Sequence, residues 1–266
     1  MTLEIVVLLL LLGSVTGVLA GLLGIGGGAI MVPMLTSIFV MMGVSSEHIV
    51  HLALGTSMAC IIVTSISSLK AHHRRQGVLW PVVKSMVPGI LLGAFFATYI
   101  AAYSKPIYLA VFFALFMAYV AINLFINKPV VESKQLGSRR SLFSAGAGIG
   151  AISSLVSIGG GTLTVPYLAN RNVDIKQAIG TSAACGFPIA LAGTLGYIVN
   201  GWPVTINLDN HWGFVYWPAV IVLSFTSYLT APVGVKLAHS LPINTLRKVF
   251  AVFVMLISAK MVSHVL

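Results

Sequence analysis

The sequence predicts an all-α membrane protein built from two inverted repeats, each of which contains a helix broken by glycines. Three observations support this fold class: a scarcity of charge, a duplicated set of motifs, and basic residues confined to short loops. Hydrophobic residues make up 58% of the 266 residues and charged residues only 8%, and the mean hydropathy is +1.01. A water-soluble domain carries about 25% charged residues, so most of the outer surface is expected to face lipid.

The apolar runs accommodate about 8–10 helical segments, because a spanning helix needs roughly 20 apolar residues. The first apolar run has no basic region before it, so it is predicted to be a retained membrane helix rather than a signal peptide. A basic linker, 128–141, separates the first repeat, 1–127, from the second repeat, 142–266, within one membrane domain. The predicted helices are 3–23, 29–42, 52–69, 78–102 and 107–127, followed by 142–157, 162–170, 177–199, 213–235 and 246–264.

The duplication is visible in four pairs of short motifs that occur in the same order in both halves. The sequence GIGGGAIMVP at 24–33 returns as SIGGGTLTVP at 157–166, an offset of 133 residues. The sequence GTSMAC at 55–60 returns as GTSAAC at 180–185, an offset of 125. A Trp-Pro pair and a Val-Phe pair follow at offsets of 137 and 138: they are 80–81 with 217–218, and 111–112 with 249–250.

The distribution of Lys and Arg predicts how the chain crosses the membrane. The loop 70–77, the linker and the segment 236–248 are basic, whereas 43–51 and 200–212 contain no Lys or Arg. Basic loops face the cytoplasm. All basic loops lie inside if each glycine-broken segment turns back to the side it entered from, and the second half is then inverted relative to the first. A kinked single span is the alternative for each broken segment.

The paired glycine triplets are the first candidate binding site. They are Gly26, Gly27 and Gly28 in the first half and Gly159, Gly160 and Gly161 in the second. Transporters with internal repeats bind substrate near the membrane midplane, where broken helices expose main-chain groups. The N-terminus of the short helix after each triplet suits an anion. Close helix packing by small residues is the alternative explanation.

The two Gly-Thr-Ser motifs are the second candidate site. Their hydroxyl groups can donate hydrogen bonds to an oxyanion, although such groups also bond back to helix carbonyls. Thr56 and Cys60, like Thr181 and Cys185, are four residues apart and share a helix face. The predicted substrate contacts are Thr56, Ser57, Thr181 and Ser182, together with Thr162 directly after the second triplet, and Cys60 and Cys185 are weaker candidates.

The absence of acidic residues from the apolar runs excludes several functions. The five acids are Glu4, Glu47, Glu132, Asp174 and Asp209, all at helix ends or in predicted loops. Coordination of Ca²⁺ or Mg²⁺ needs carboxylate ligands at the site, so no metal and no cofactor is predicted. The basic loops indicate membrane orientation, so no nucleic-acid partner is predicted. The expected solute is a small anion or a neutral molecule.

The twin glycine segments, each followed by a Gly-Thr-Ser helix, resemble the TauE/SafE sulfite exporter family, also called the toluene-sulfonate uptake permease family. The resemblance extends over essentially the whole chain. It implies transport of sulfur-containing anions, such as sulfite, sulfonates, sulfoacetate or thiosulfate, across the bacterial inner membrane, with export driven by the proton gradient. The second copy has Thr162 and Thr164 where the first has Ala29 and Met31, so the two halves are expected to offer an anion unequal hydrogen bonding.

A secondary transporter that works by alternating access is the leading functional hypothesis. An anion channel has the same static features. An intramembrane enzyme would need a nucleophile beside a base at membrane depth, and the apolar runs offer no such pair. A membrane chaperone or subunit without transport activity is a weaker alternative. The sequence does not decide the exact substrate, the direction of transport or whether the chain forms a homodimer.

Overall fold

The computed structural model describes residues 2–23, 27–126, 136–205, 209–237 and 243–264. Gly26 and most of the basic linker lie outside the described residues. The described chain is almost entirely helical, which confirms the predicted all-α fold. Its helices are α1 (Leu3–Leu23), α2 (Gly28–Met41), α3 (Ile49–Arg74), α4 (Trp80–Ala102), α5 (Pro106–Ile126), α6 (Arg139–Leu155), α7 (Gly161–Ala169), α8 (Ile175–Thr205), α9 (Trp217–Leu237) and α10 (Ile243–Ser263).

Six of these helices, in the part of the chain that the structure describes, are long and apolar enough to cross a membrane. They are α1, α3, α4, α5, α8 and α9. α3 and α8 are mostly buried inside the bundle, whereas α1, α4, α5 and α9 leave many large apolar side chains exposed. The chain is therefore a multi-pass membrane protein in which α3 and α8 form the centre and the other spanning helices face lipid.

The predicted helix 213–235 is wrong at its start, because residues 211–216 form a small β-hairpin. β1 (His211–Trp212) pairs antiparallel with β2 (Val215–Tyr216), and α9 begins only at Trp217. Asn210 and Gly213 adopt positive φ angles of 63° and 54°, which are turn conformations that Asn and Gly tolerate. The apolar residues of this segment resemble a helix start in hydropathy, but the turn residues fold it back on itself.

The glycine directly before the second helix of each break has the same backbone geometry in the two halves. Gly27 and Gly160 precede α2 and α7 and have φ 79° and ψ −14° in both copies. This left-handed conformation is strained for residues with a Cβ atom. The triplets therefore end one helix and start the next at a position where only glycine fits without strain.

The two halves interlock rather than sit side by side. The first helix of each half packs in parallel along the fourth helix of the other: α1 against α9, and α6 against α4. Gly13 and Gly17 contact the backbone of α9, and their counterparts 133 residues later, Gly146 and Gly150, contact the backbone of α4. Small residues allow this close helix approach in membranes.

The second glycine-broken segment, α6 and α7, forms a hairpin that returns to the end from which it starts. Gly137, just before α6, lies close to the Arg171 side chain, just after α7. The carbonyl oxygen of Lys176, at the start of α8, lies near Gly77 in the loop before α4. The start of α6, the end of α7 and the starts of α4 and α8 therefore meet at one end of the bundle, named here the basic end.

The first glycine-broken segment, α1 and α2, also forms a hairpin, and it returns to the opposite end of the bundle. Near the end of α2, the ring of Phe39 lies 5.9 Å from that of Tyr216, where α9 begins. α1 starts at the same end, because it runs parallel to α9. α3 connects this end to the basic end. The inverted orientation of the halves in a membrane stays a prediction, and these contacts agree with it.

Candidate functional site

A cavity of about 230 Å³ opens at the basic end and extends to the turn of the second hairpin. Arg75 and Lys236, both exposed, line its outer part. Gly159 and Gly186, both buried, line its inner part. The remaining lining residues come from four helices: Ala20 and Gly21 of α1, Ile61, Thr64, Ser65, Ser67, Ser68 and Ala71 of α3, Ala183 of α8, and Ala231 and Pro232 of α9.

The charges around this cavity favour an anion. Arg75 and Lys236 contribute positive charge, and none of the four acids among the described residues lines the cavity. A cleft lined by charges of one sign concentrates ions of the opposite sign. Both cations also stand at helix C-terminal ends, where they stabilise the helix dipole. The arrangement thus stabilises two helix ends and makes the mouth of the cavity positively charged.

A run of hydroxyl residues on α3 forms one wall of the cavity, and sequence reasoning missed it. Thr64, Ser65, Ser67 and Ser68 all line the cavity. The Thr64 hydroxyl donates to the Ile61 carbonyl at 3.2 Å, and the Ser65 hydroxyl donates to the Ile62 carbonyl at 2.9 Å. Four hydroxyl residues within five positions of an apolar helix were the available signal. Arg75 and Lys236 were recognised only as loop charges.

Gly28 of the first triplet packs against the turn that precedes the second triplet, and a binding site between the two triplets stays a prediction. The carbonyl oxygen of Ser157 packs directly on Gly28, so closely that an added methyl group would overlap with it. The Ser157 hydroxyl donates to the Leu54 carbonyl at 3.1 Å, which fixes the turn of the second hairpin against α3. Of the described glycines in the triplets, Gly159 lines the cavity, while Gly27, Gly28, Gly160 and Gly161 are packed inside the bundle.

The second hairpin carries four buried hydroxyl groups that have no hydrogen-bond partner among the described residues. These belong to Ser153 and Ser154 at the end of α6 and to Thr162 and Thr164 at the start of α7. The Thr164 hydroxyl lies beside Gly160, behind the glycine turn rather than in the cavity wall. Leaving a buried hydroxyl unpaired costs about 1–3 kcal/mol, and unpaired buried hydroxyl groups also occur elsewhere in the described bundle, for example at Thr194, Ser224 and Ser258.

The threonines of the two Gly-Thr-Ser motifs join the halves to each other. The Thr56 hydroxyl accepts a hydrogen bond from the Tyr216 N–H at 3.0 Å, and the Thr181 hydroxyl accepts one from the Leu79 N–H at 2.9 Å. Tyr216 and Leu79 are equivalent residues, 137 positions apart, directly before α9 and α4. Each threonine therefore binds the start of a helix in the opposite half.

The glycine before each threonine belongs to the same contact. Gly55 packs against the Phe214 carbonyl, and Gly180 packs against the Gly77 carbonyl. In both cases the contacted carbonyl lies two residues before the N–H that bonds the threonine. The Gly-Thr pair of each motif thus forms a contact that holds the two halves together. Substrate contact by Thr56 and Thr181 stays a prediction.

The remaining predicted contacts are buried near the cavity without lining it. Ser57 and Ser182 carry buried hydroxyl groups without a hydrogen-bond partner. Cys60 and Cys185 are free, fully buried thiols. Their chain neighbours Ile61, Ala183 and Gly186 do line the cavity. Contact of these four residues with a substrate remains a prediction.

Comparison with known proteins assigns the family. Residues 9–261 match the family described as sulfite exporter TauE/SafE. A probable membrane transporter protein of Haemophilus influenzae is 37% identical over 259 residues, covering 96% of this chain and 97% of the relative.

More distant relatives carry the same description. A probable membrane transporter protein of Methanocaldococcus jannaschii is 25% identical, covering 90% of this chain and 89% of the relative. One from Bacillus subtilis is 27% identical, covering 73% of this chain and 79% of the relative. The chain therefore belongs to the TauE/SafE sulfite exporter family and is a multi-pass membrane transporter, not an enzyme.

Proposed function

We propose that this transporter carries small sulfur-containing oxyanions, such as sulfite, sulfoacetate or other organosulfonates, across the bacterial inner membrane. The observation that carries the proposal is the cavity, which has two cations at its mouth and no acid among its described lining residues. Its inner end is a glycine turn, where a ligand can approach the main chain closely. The family to which the chain belongs is described as sulfite exporters.

The cavity volume suits a small solute. About 230 Å³ is several times the roughly 30 Å³ that one water molecule occupies in the liquid. A small oxyanion fits in this volume with part of its hydration shell. Arg75 and Lys236 attract the anion, and the hydroxyl groups of α3 replace part of its water.

The second hairpin supplies the next contacts. The first N–H groups of α7 have no partner within the helix, and the helix dipole makes this end partially positive. Thr162 and Thr164 stand on the same first turn, with unpaired buried hydroxyls. We propose that these groups bind the oxyanion once it passes Gly159, in a conformation where the hairpin has moved relative to α3.

We propose that the protein exports its substrate and that the proton gradient drives this export. In the predicted topology the basic end faces the cytoplasm, so the cavity receives its anion from inside. An anion channel is the second candidate, because a cavity with a basic mouth also serves conduction. The two differ in whether a proton gradient drives accumulation against the anion's own gradient.

Proteoliposomes containing the purified protein test the proposal. We expect uptake or release of sulfite, sulfoacetate, taurine or thiosulfate that accelerates when a pH gradient is imposed. Failure to move any of these anions under any ion gradient would contradict the substrate class. Large single-channel currents without gradient-driven accumulation would favour the channel.

Variants that remove the positive charges at the cavity mouth test whether the anion passes through this cavity. Arg75→Gln and Lys236→Gln are expected to lower the transport rate at limiting substrate about tenfold together, because steering by charges falls with their number. Lys70→Gln is the control, because Lys70 is exposed on α3 but does not line the cavity. Equal transport by the double variant and the control would place the pathway elsewhere.

A further inference from the structure

A second, larger groove lies on the lipid-facing surface between the first turns of α4 and α6. Its volume is about 870 Å³. Three basic side chains line it, Lys84, Arg139 and Arg140, and no acid is among its described lining residues. Its apolar wall includes Pro88, Leu142 and Phe143. It is separate from the transport cavity, because the two share no lining residue.

The residues of the groove are of the types found at a membrane–water interface. Trp80 lines its edge and is 38% exposed, and Phe143 is 40% exposed. Trp is enriched at the headgroup level of membrane proteins. Lys84 stands about one turn into the spanning helix α4, and a lysine at such a position extends its ammonium group toward the headgroups. The three cations thus face the depth of lipid phosphates.

Their position on the helices is electrostatically unfavourable without an anion. Arg139 and Arg140 occupy the first turn of α6, which contains no acid. The N-terminal end of a helix is partially positive and repels cations. The Arg171 guanidinium group adds further positive charge near Gly137, at the rim of the groove. A bound anion would offset this repulsion.

The other half of the protein shows that the helix packing does not need these charges. α1 packs on α9 as α6 packs on α4, and the positions equivalent to Arg139, Arg140 and Lys84 are Val6, Val7 and Ile221. Val7 and Ile221 are 45% and 67% exposed. The same architecture therefore presents an apolar surface at one end and a cationic groove at the other.

We propose that this groove binds the phosphate headgroup of an anionic phospholipid, whose acyl chains lie along Phe143 and Pro88. Basic pockets between membrane helices on the cytoplasmic side bind such headgroups. The apolar wall distinguishes a lipid from a free phosphate ion, because a free ion gains nothing from it. The site is independent of the transported substrate and of the transport cavity.

Native mass spectrometry of the full chain in detergent, titrated with phosphatidylglycerol or phosphatidylcholine, tests the site. We expect the first phosphatidylglycerol to bind more tightly than phosphatidylcholine. The double variant Lys84→Gln with Arg139→Gln is expected to weaken that binding roughly 25-fold, since each basic residue near an anionic headgroup contributes a factor of about five. Lys84→Arg with Arg139→Lys keeps the charges and is expected to retain the binding.

The matched control is Lys70→Gln with Arg74→Gln, which removes two exposed charges from the same end without touching the groove. Retained binding in this control supports a defined site rather than general surface charge. Equal weakening by both double variants would overturn the proposal. It would also be overturned if millimolar inorganic phosphate displaced the lipid completely, or if the two phospholipids bound equally well to the wild-type protein.

Discussion

The first hairpin, α1 with α2, and the second hairpin, α6 with α7, turn through glycines of the same conformation but differ in polarity. The second hairpin places unpartnered hydroxyl groups around its turn, at Ser153, Ser154, Thr162 and Thr164. The equivalent positions of the first hairpin are Ala20, Gly21, Ala29 and Met31. The two hairpins therefore share the backbone conformation of Gly27 and Gly160 and differ in the side chains around the turn.

This difference in polarity suggests different roles for the first and second hairpins. The first hairpin contributes Ala20 and Gly21 to the cavity wall and packs Gly28 against the second turn. The second contributes the hydroxyl groups and the dipole end of α7. We infer that the first hairpin acts as a packing surface and the second as the anion-binding element. Four predictions test this comparison, from the largest expected effect to the smallest.

The largest effect is expected from Gly28→Ala, which places a methyl group against the Ser157 carbonyl. The backbone of the second hairpin cannot yield easily, so overpacking should lower the free energy of unfolding by about 3 kcal/mol. Thermal unfolding in detergent measures it. Gly148→Ala is the control, because nothing lies within 4 Å of the position of its added methyl group. Equal melting temperatures for the two variants would show that the hairpins do not pack at Gly28.

The hydroxyl groups of the second hairpin are tested by Thr162→Val combined with Thr164→Val. Valine keeps the shape but removes the donors, so we expect transport to fall at least about tenfold, since a hydrogen bond to a charged group contributes about 1.5–3 kcal/mol. Stability should be unchanged or higher, because two buried unpaired hydroxyls are removed.

The matched change in the first hairpin is Met31→Leu, which conserves volume at the position equivalent to Thr164. It is expected to leave transport unchanged. If the double valine variant is more stable than the wild-type protein and transports normally, the hydroxyl groups of Thr162 and Thr164 do not contact the anion.

A smaller effect is expected where the halves are alike. Thr56→Val and Thr181→Val each leave a backbone N–H, of Tyr216 or Leu79, without its acceptor. Loss of about 1–3 kcal/mol of stability is expected for each. Thr→Ser at either position retains the oxygen and should restore most of it. If only one of the two valine variants is destabilised, the contacts made by Thr56 and Thr181 are not equivalent.

The smallest expected effect is a pH dependence of stability that arises in the loop before α9. Among the described residues, this loop contains a β-hairpin and the loop before α4 does not. Burial lowers the pKa of His211 in this hairpin, although the carbonyl and carboxylate of Asp209 oppose the shift. The neutral ring is therefore favoured in the folded state. Its contribution to stability is present above the unfolded pKa of about 6.5 and lost as pH falls through the lowered folded value.

Melting temperatures between pH 7.5 and pH 5 check this prediction. The decrease on acidification should be smaller in His211→Gln than in the wild-type protein. An identical pH dependence in both proteins would exclude a contribution from His211.

Much of the fold followed from local sequence patterns. The low charge content required a lipid-facing surface, and the offsets between motifs established the duplication. The glycine triplets predicted helix breaks, which the positive φ angles of Gly27 and Gly160 confirm. Helix ends were less accurate: α3 extends to Arg74 and α8 to Thr205, beyond the predicted 69 and 199. In α3 the extra turn is polar (KAHHR at 70–74), and its side chains can be solvated while the helical hydrogen bonds continue.

The candidate site followed from the sequence only in part. Gly159, one of the predicted glycines, lines the cavity, and a substrate site between the triplets stays a prediction. The sequence did not show that Thr56 and Thr181 bond the starts of α9 and α4, because those partners are 160 and 102 residues away. It also did not show that Arg75 and Lys236 share one cavity mouth with the hydroxyl residues of α3.

The sequence by itself thus determined the membrane setting, the duplication and the position of the two breaks, because composition, repeats and glycine conformation are local properties. The tertiary structure decided which glycine faces the cavity, which hydroxyl joins the halves and which remains unpaired. Those outcomes depend on contacts between the halves, which arise only when α1 packs on α9 and α6 on α4. Among the described residues of the triplets, Gly28 consequently packs against the second turn, whereas Gly159 lines the cavity.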